Sequence, residues 1–234
     1  MRPSVLAVSI VLWSLLTNGC SKAITQATAA TVLSINGSVA FGSAERNDFR
    51  PVTLRSRILD GDSVRAVDGA WVDLGLIPGA FAQVCGDSEI KVEELRITKD
   101  GNDTAGGMYD RRARIRLTRG KIIVLFTPSE RSASQFVITA PRVTVKPDSD
   151  CLFCVWTDGT TTRVTCAKEK VIASGDAQSP VTIAAGYFQQ WPMARTQPVV
   201  AAADATAQID ITESLAAGER FLDQAAAWQK RRPF

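Results

Sequence analysis

The 234-residue chain contains no histidine. That absence removes the commonest general base, the usual neutral metal ligand and the side chain that titrates near neutrality. A serine or cysteine nucleophile therefore has no imidazole to activate it. Glu93 and Glu94 are adjacent on a strand-like run and would diverge, and no glycine-rich loop opens a helix in a strand–helix–strand setting. The expectation is a non-enzyme with no cofactor and no metal. A hydrolase on a β scaffold, with carboxylates brought together only by folding, is the minor alternative. Strong charge is missing too. The formal net charge is +3, or +2 without Arg2, which points to neither a nucleic-acid partner nor an acidic tail. Long hydrophobic runs are confined to residues 5–16, short of the roughly 20 needed to span a bilayer.

What is present reads as β-structure. Residues 136–173 hold three runs rich in Val, Ile, Thr and aromatics, separated by Pro141, by residues 146–150 and by Asp158-Gly159. A two-residue Asp-Gly loop predicts a tight hairpin in which Thr157 faces Thr160, Phe153 faces Val164 and Cys151 faces Cys166. Apolar alternation running into a glycine and continuing as a strand occurs around Gly37 and Gly120. A degraded copy, VTCAKEKVIA, carries Glu169. This pattern suits strands that bulge or turn and re-enter a second sheet. Residues 88–98 carry Ile90, Val92, Leu95 and Ile97, which cannot share one face unless a bulge lies near Glu93-Glu94. Trp71 is expected in the core. Residues 99–110 read as a hairpin tip; their Asp and Asn content does not match a calcium loop. About a dozen short runs predict an all-β fold, a two-layer β-sandwich or short β-roll of antiparallel strands.

The order FVITAP, a short strand, LFCV, an Asp-Gly turn, TRVT and KVIA resembles the FecR domain, a periplasmic module of iron-citrate-type signalling proteins. ILDGDSV at residues 58–64 and VTIAAG at 181–186 resemble the family's further signatures. The resemblance spans residues 32–191 and departs from the family at Asp150-Cys151 and at Glu169, where glycine is usual. It implies a ligand-sensing or binding module without catalytic groups. Sensor-type members carry a cytoplasmic segment and a transmembrane helix. Only four residues precede the apolar run here, so no such arm is expected.

Residues 1–20 read as a signal peptide whose Leu-Thr-Asn-Gly-Cys end resembles a lipobox, with Cys20 as the lipidated residue. Ser21 after it favours the periplasmic face of the outer membrane; a soluble periplasmic protein is the alternative. A tether over 21–31, the β-domain over 32–191, a linker over 192–211 and a helix over 212–231 follow. Thr212 is the expected N-cap, and Leu215, Phe221, Leu222, Ala225 and Trp228 form one apolar face for the β-domain or a partner.

The cysteines left after Cys20 are Cys85, Cys151, Cys154 and Cys166, an even number in an exported chain. The hairpin register favours Cys151 with Cys166, leaving Cys85 with Cys154. Cys151 and Cys154 lie three apart on a strand and point to opposite faces, which disfavours zinc or redox chemistry at that pair. Arg112, Arg114 and Arg116 alternate with buried-type residues and place three guanidinium groups on one face, an anion or partner platform. The first functional expectation is a cell-envelope lipoprotein that binds or scaffolds a protein partner or an envelope polymer. The alternative is a signal-sensing subunit that relays a receptor's state through another membrane protein.

Overall fold

The computed structural model describes residues 23–100, 108–129, 133–175, 179–193 and 195–231, with backbone alone at 100, 108–109 and 227–231. Cys20, the signal segment and the side chain of Trp228 lie outside the described residues. In chain order the strands are β1 (Ala23–Ala27), β2 (Ala30–Asn36), β3 (Val39–Gly42), β4 (Arg50–Pro51), β5 (Arg57–Ile58), β6 (Ser63–Ala66), β7 (Trp71–Ile77), β8 (Ala80–Val84) and β9 (Ser88–Asp100). Then come β10 (Met108–Phe126), β11 (Ala133–Ala140), β12 (Val143–Lys146), β13 (Cys151–Thr157), β14 (Thr162–Gly175), β15 (Val181–Ala184), β16 (Tyr187–Trp191) and β17 (Val199–Val200). A 3-10 turn at Ala201–Ala203 leads into helix α1 (Ala205–Arg231). The fold is all-β with one C-terminal α-helix among the described residues.

Two sheets pack face to face. Sheet A runs β4–β3–β6–β9–β10–β11–β12–β14–β15, with β1 beside the far end of β9. Sheet B runs β5–β2–β7–β8–β10–β13–β14–β16–β17. β10 and β14 belong to both sheets, so the ladder closes through β10, β11, β12, β14 and β13. All pairings are antiparallel except β10 with β11.

The crossings fall where glycine or its stand-in interrupts the alternation. In β10, Ala113, Ile115 and Leu117 point inward before Gly120, and Ile122, Val124 and Phe126 after it. The inward set thus changes parity at Gly120, whose φ is +82°. A left-handed residue rotates the strand into the other sheet so that both halves feed one core. β14 does the same at Glu169, φ +59°, and the β2–β3 connection at Gly37, φ +73°. Glu169 is exposed, yet its left-handed backbone penalises any side chain. Glu169→Gly is therefore expected to stabilise the protein by about 1 kcal/mol, net of the flexibility glycine adds to the unfolded chain. A thermal melt should rise by roughly 2–4 °C; an unchanged or lower midpoint would contradict this.

The bulge in β9 lies at Glu93: Arg114 pairs with Glu94 and Ile115 with Val92, leaving Glu93 unmatched. Ile90, Val92 and Leu95 are accordingly all buried, and Ile97 half-buried. The backbone beside the bulge is satisfied by the Asp60-Gly61-Asp62 turn. Gly61 N–H donates to Val92 O and Val92 N–H to Asp62 O, both at 2.8 Å, while Asp60 Oδ1 accepts from Leu95 N–H at 2.7 Å.

Three expectations need correction. The tether is in part a strand, because residues 23–27 pair with Arg96–Asp100 of β9 through backbone hydrogen bonds that side-chain patterning does not reveal. The helix begins at Ala205 and not at Thr212: Asp204 is the cap, accepting from Ala207 N–H at 2.9 Å, a contact that lowers its carboxyl pKa. Thr212 instead donates to Gln208 O within the helix. Trp71 is half-buried on the outer face of sheet B, under Arg220, outside the inter-sheet core.

Candidate functional site

The outer face of sheet A carries the arginine ladder. Arg112, Arg114 and Arg116 are exposed while Ala113, Ile115 and Leu117 between them are buried, as the period of two predicts. Their states differ. Arg112 Nε donates to Asp110 Oδ2 at 2.7 Å, and Arg116 grips Glu93 Oε1 at 2.6 Å. Arg114 has no ion-pair or hydrogen-bond partner among the described residues, although Glu94 stands opposite it in the register. The ladder is thus two neutralised arginines around one open guanidinium.

Arg114 and Arg116 form one wall of a groove of about 720 Å³ whose other wall includes Lys146 and Asp148. Its floor comes from β11 and β12, where Thr139 and Thr144 face each other in register. Gln135 and Val137 complete it, opposite Arg112 and Arg114 respectively. Lys146 is exposed and, like Arg114, unpartnered among the described residues. Sequence reasoning found the arginines but missed Lys146 and the threonines. Their approach depends on β11 pairing parallel to β10, and no local pattern signals that.

The outer face of sheet B is covered by α1, with Phe221 and Ala225 of the expected apolar face packed on it but Leu215 and Leu222 left out. Phe221 is fully buried and stacks on Phe81 at 6.0 Å, whereas Leu215 and Leu222 are exposed, the latter at 57%. The helix docks instead through small and polar residues: Ala207, Asp210, Ser214 and Ala217 are buried, and Gly218 lies against Leu152. Asp210 is 1% exposed and accepts from Arg163 Nε at 2.9 Å and Nη2 at 2.8 Å, with Lys121 Nζ at 3.1 Å. Lys121 also meets Glu213 at 2.6 Å. Burial works to lower the Lys121 pKa, but the flanking Glu213 and Asp210 carboxylates raise it overall. Towards the other end, Asp73 of β7 accepts from Ser34 Oγ at 2.6 Å and from Gln83 and Gln224 at 3.0 Å. Each side of the interface thus supplies one buried carboxylate with a partner across it, Asp210 with Arg163 and Lys121, and Asp73 with Gln224. Asp73 stood in the sequence as a lone charge within an apolar strand, a signal that could have been read.

Cys85, Cys151, Cys154 and Cys166 are free thiols. The hairpin loop spans residues 158–161 and is closed by the pair Thr157–Thr162. Asp158 Oδ1 collects Thr160 N–H at 2.8 Å and Thr161 N–H at 2.7 Å, an Asx-type turn that needs the two extra residues. Those bonds hold the Asp158 carboxyl below the usual range. The register therefore slips by two from Thr157 to Phe153, which keeps those side chains on their expected faces but moves Cys166 opposite Phe153, and a bulge next to Phe153 adds one more residue and sets Cys151 opposite Glu169. Cys166 Sγ lies 3.3 Å from Lys168 O. Cys85 and Cys154 are separated by β10, since Lys121 stands opposite Cys85 and Ile123 opposite Cys154. Two strand spacings make roughly 9–10 Å between backbones, beyond disulfide reach. Cys151 and Cys154 do face opposite sides, into the inter-sheet core and under α1 respectively. Burial pushes the Cys85 and Cys166 thiols up to about 12 and raises those of Cys151 and Cys154 as well. Protonated, buried thiols are poor nucleophiles and poor metal ligands.

No protein-family model matches the chain, and no curated protein matches it. Two crystal structures of a proposed anti-sigma factor from Parabacteroides distasonis overlap with it at TM-score 0.40, with 12% and 13% identity. Each overlap takes in 55% of this chain and 53% of that one, so the chain spans about half the length of these neighbours. At that score the overlap supports neither a family assignment nor a function.

Proposed function

We propose that the protein is a FecR-like, non-enzymatic binding module of the bacterial cell envelope, and that it holds its partner on the outer face of sheet A. The observation that carries this reading is the division of labour between the two outer faces. Sheet B is capped by the chain's own helix, while sheet A presents a groove whose walls carry Arg114 and Lys146, both unpaired among the described residues. An exposed guanidinium without a counterion is ready to take an anionic group. Lipidation of Cys20 would attach this module to the periplasmic face of the outer membrane.

Replacing Arg112, Arg114 and Arg116 together by Gln is expected to leave folding intact, because all three side chains are exposed. Binding to an anionic partner should weaken, and the loss should shrink as salt screens the wild-type interaction. Envelope components retained by the immobilised wild type and its variant at low and high salt provide the measurement. Equal retention at low salt would show that the ladder is only a solvated face. A second reading, a signalling subunit that relays a receptor's state, draws on the exposed Leu215 and Leu222 of α1. Site-specific crosslinking from position 222 to a membrane protein would favour it.

A further inference from the structure

Resting on the reading of sheet A as the binding face, we propose that its groove takes an acidic glycan: a hydroxyl-rich chain carrying carboxylates at intervals. Four features of the groove narrow the class. Strands β10 and β12 are hydrogen-bonded on both sides, to β9 and β11 and to β11 and β14, and β11 is bonded on both sides, to β10 and β12, over residues 138–139. Beneath the Thr139–Thr144 pair the floor is therefore a sheet face with no free backbone edge, and an extended peptide cannot add there as a strand. The walls mix signs: Glu93 and Asp148 stand beside Arg114, Arg116 and Lys146. A densely charged polymer would meet two carboxylates for every three cations, and an anionic bilayer would find the same opposition with Val137 as the apolar residue on the floor. The floor itself is made of groups that both donate and accept. Thr139, Thr144, Ser134 and Gln135 match sugar hydroxyls, which have the same dual capacity. Finally, Arg114 stands midway along the ladder with its fork unused, suited to one carboxylate at a time.

The residues thus divide the work. Arg114 recognises the carboxylate, with Lys146 across the groove as a second, weaker contact, and the threonine pair reads the neutral part of the chain. Arg116, already held by Glu93, shapes the wall.

The test uses the full chain and defined probes: a uronic-acid hexamer, the same hexamer with its carboxyls reduced to alcohols, inorganic polyphosphate, and phosphatidylglycerol vesicles. Wild type is expected to bind the uronate hexamer best. Carboxyl reduction or Arg114→Gln should each weaken that binding by about tenfold to a hundredfold, the range for one charge-assisted hydrogen-bonded contact. Combining the two changes should add little, since both remove the same contact. Thr139→Val with Thr144→Val, near in shape and unchanged in charge, should weaken binding of both hexamers alike. No uronate binding by wild type, or uronate binding indifferent to Arg114→Gln, overturns the glycan assignment. Tighter binding to polyphosphate or vesicles that depends on the arginines also overturns it, but leaves the binding-face reading standing. Should the triple Gln variant bind every probe as wild type does, the binding-face reading itself falls.

Discussion

Asp210→Ala is expected to lower the unfolding free energy by about 3–5 kcal/mol, because it strands a buried guanidinium. Arg163 has 8% of its side chain exposed, and Asp210 is its only ion-pair partner among the described residues. Among the described residues it also lies over the face of Trp156, at 5.2 Å, with the Asp204 carboxylate close enough to interact with its charge. Such ring contacts contribute about 2 kcal/mol even when desolvated, too little to offset the loss of a counterion. Lys121 would fare better, since it keeps Glu213, which is half exposed. Lys121→Met should therefore cost less than Asp210→Ala. Urea denaturation provides the measurement, and a cost below about 1 kcal/mol would place this pair with ordinary surface ion pairs. Replacing both partners, Arg163→Met with Asp210→Leu, should recover most of the loss, because apolar groups of similar volume carry no desolvation penalty. The helix is thus positioned more by the matching of charges than by them as a net source of stability.

Gly120→Ala should be damaging for a different reason. At φ +82° any side chain carries the left-handed penalty, and a Cβ there would collide with Ser88 and come within 2.6 Å of Asp87 O. Ser88 cannot easily give way. Its Oγ accepts from Lys121 N–H at 2.7 Å and donates to Gly86 O at 3.0 Å, tying the β8–β9 turn to the point where β10 changes sheets. About 1–2 kcal/mol for the backbone and about 1–3 kcal/mol for the displaced neighbours give an expected loss of about 2–5 kcal/mol. Gly159→Ala is the control. Gly159 has φ +95° and nothing within 4 Å of the added carbon, so the backbone penalty alone applies. Equal losses at the two positions, read from denaturation midpoints, would show that the crossing tolerates displacement.

Those two glycines also mark how far local pattern reaches. Gly37, Gly120 and even the glycine-lacking crossing at Glu169 stood out because each interrupts a period-two alternation, a property of a few consecutive residues. The Glu93 bulge was legible on the same ground: four apolar residues could not share a face without it. Arg112, Arg114 and Arg116 lay on one face by the same arithmetic. The hairpin was legible as a hairpin but not in its register, because the Asp158 carboxylate recruits two further residues, a choice made by hydrogen bonds and not by propensity.

What the chain determined by itself was therefore the all-β class, the inward and outward faces, the places where strands change sheets and the existence of a C-terminal helix. All of these follow from the short-range geometry of alternating side chains and left-handed residues. The tertiary structure alone decided which face of the helix is buried, since Asp210 finds Arg163 across 47 positions and so outweighs the exposed Leu215 and Leu222. It decided that β10 separates Cys85 from Cys154. It also decided that Arg114 stays open while Arg112 and Arg116 are paired, and that Thr139, Thr144 and Lys146 stand beside it. Each of these depends on strands distant in sequence meeting in one register, and no local alternation encodes that meeting.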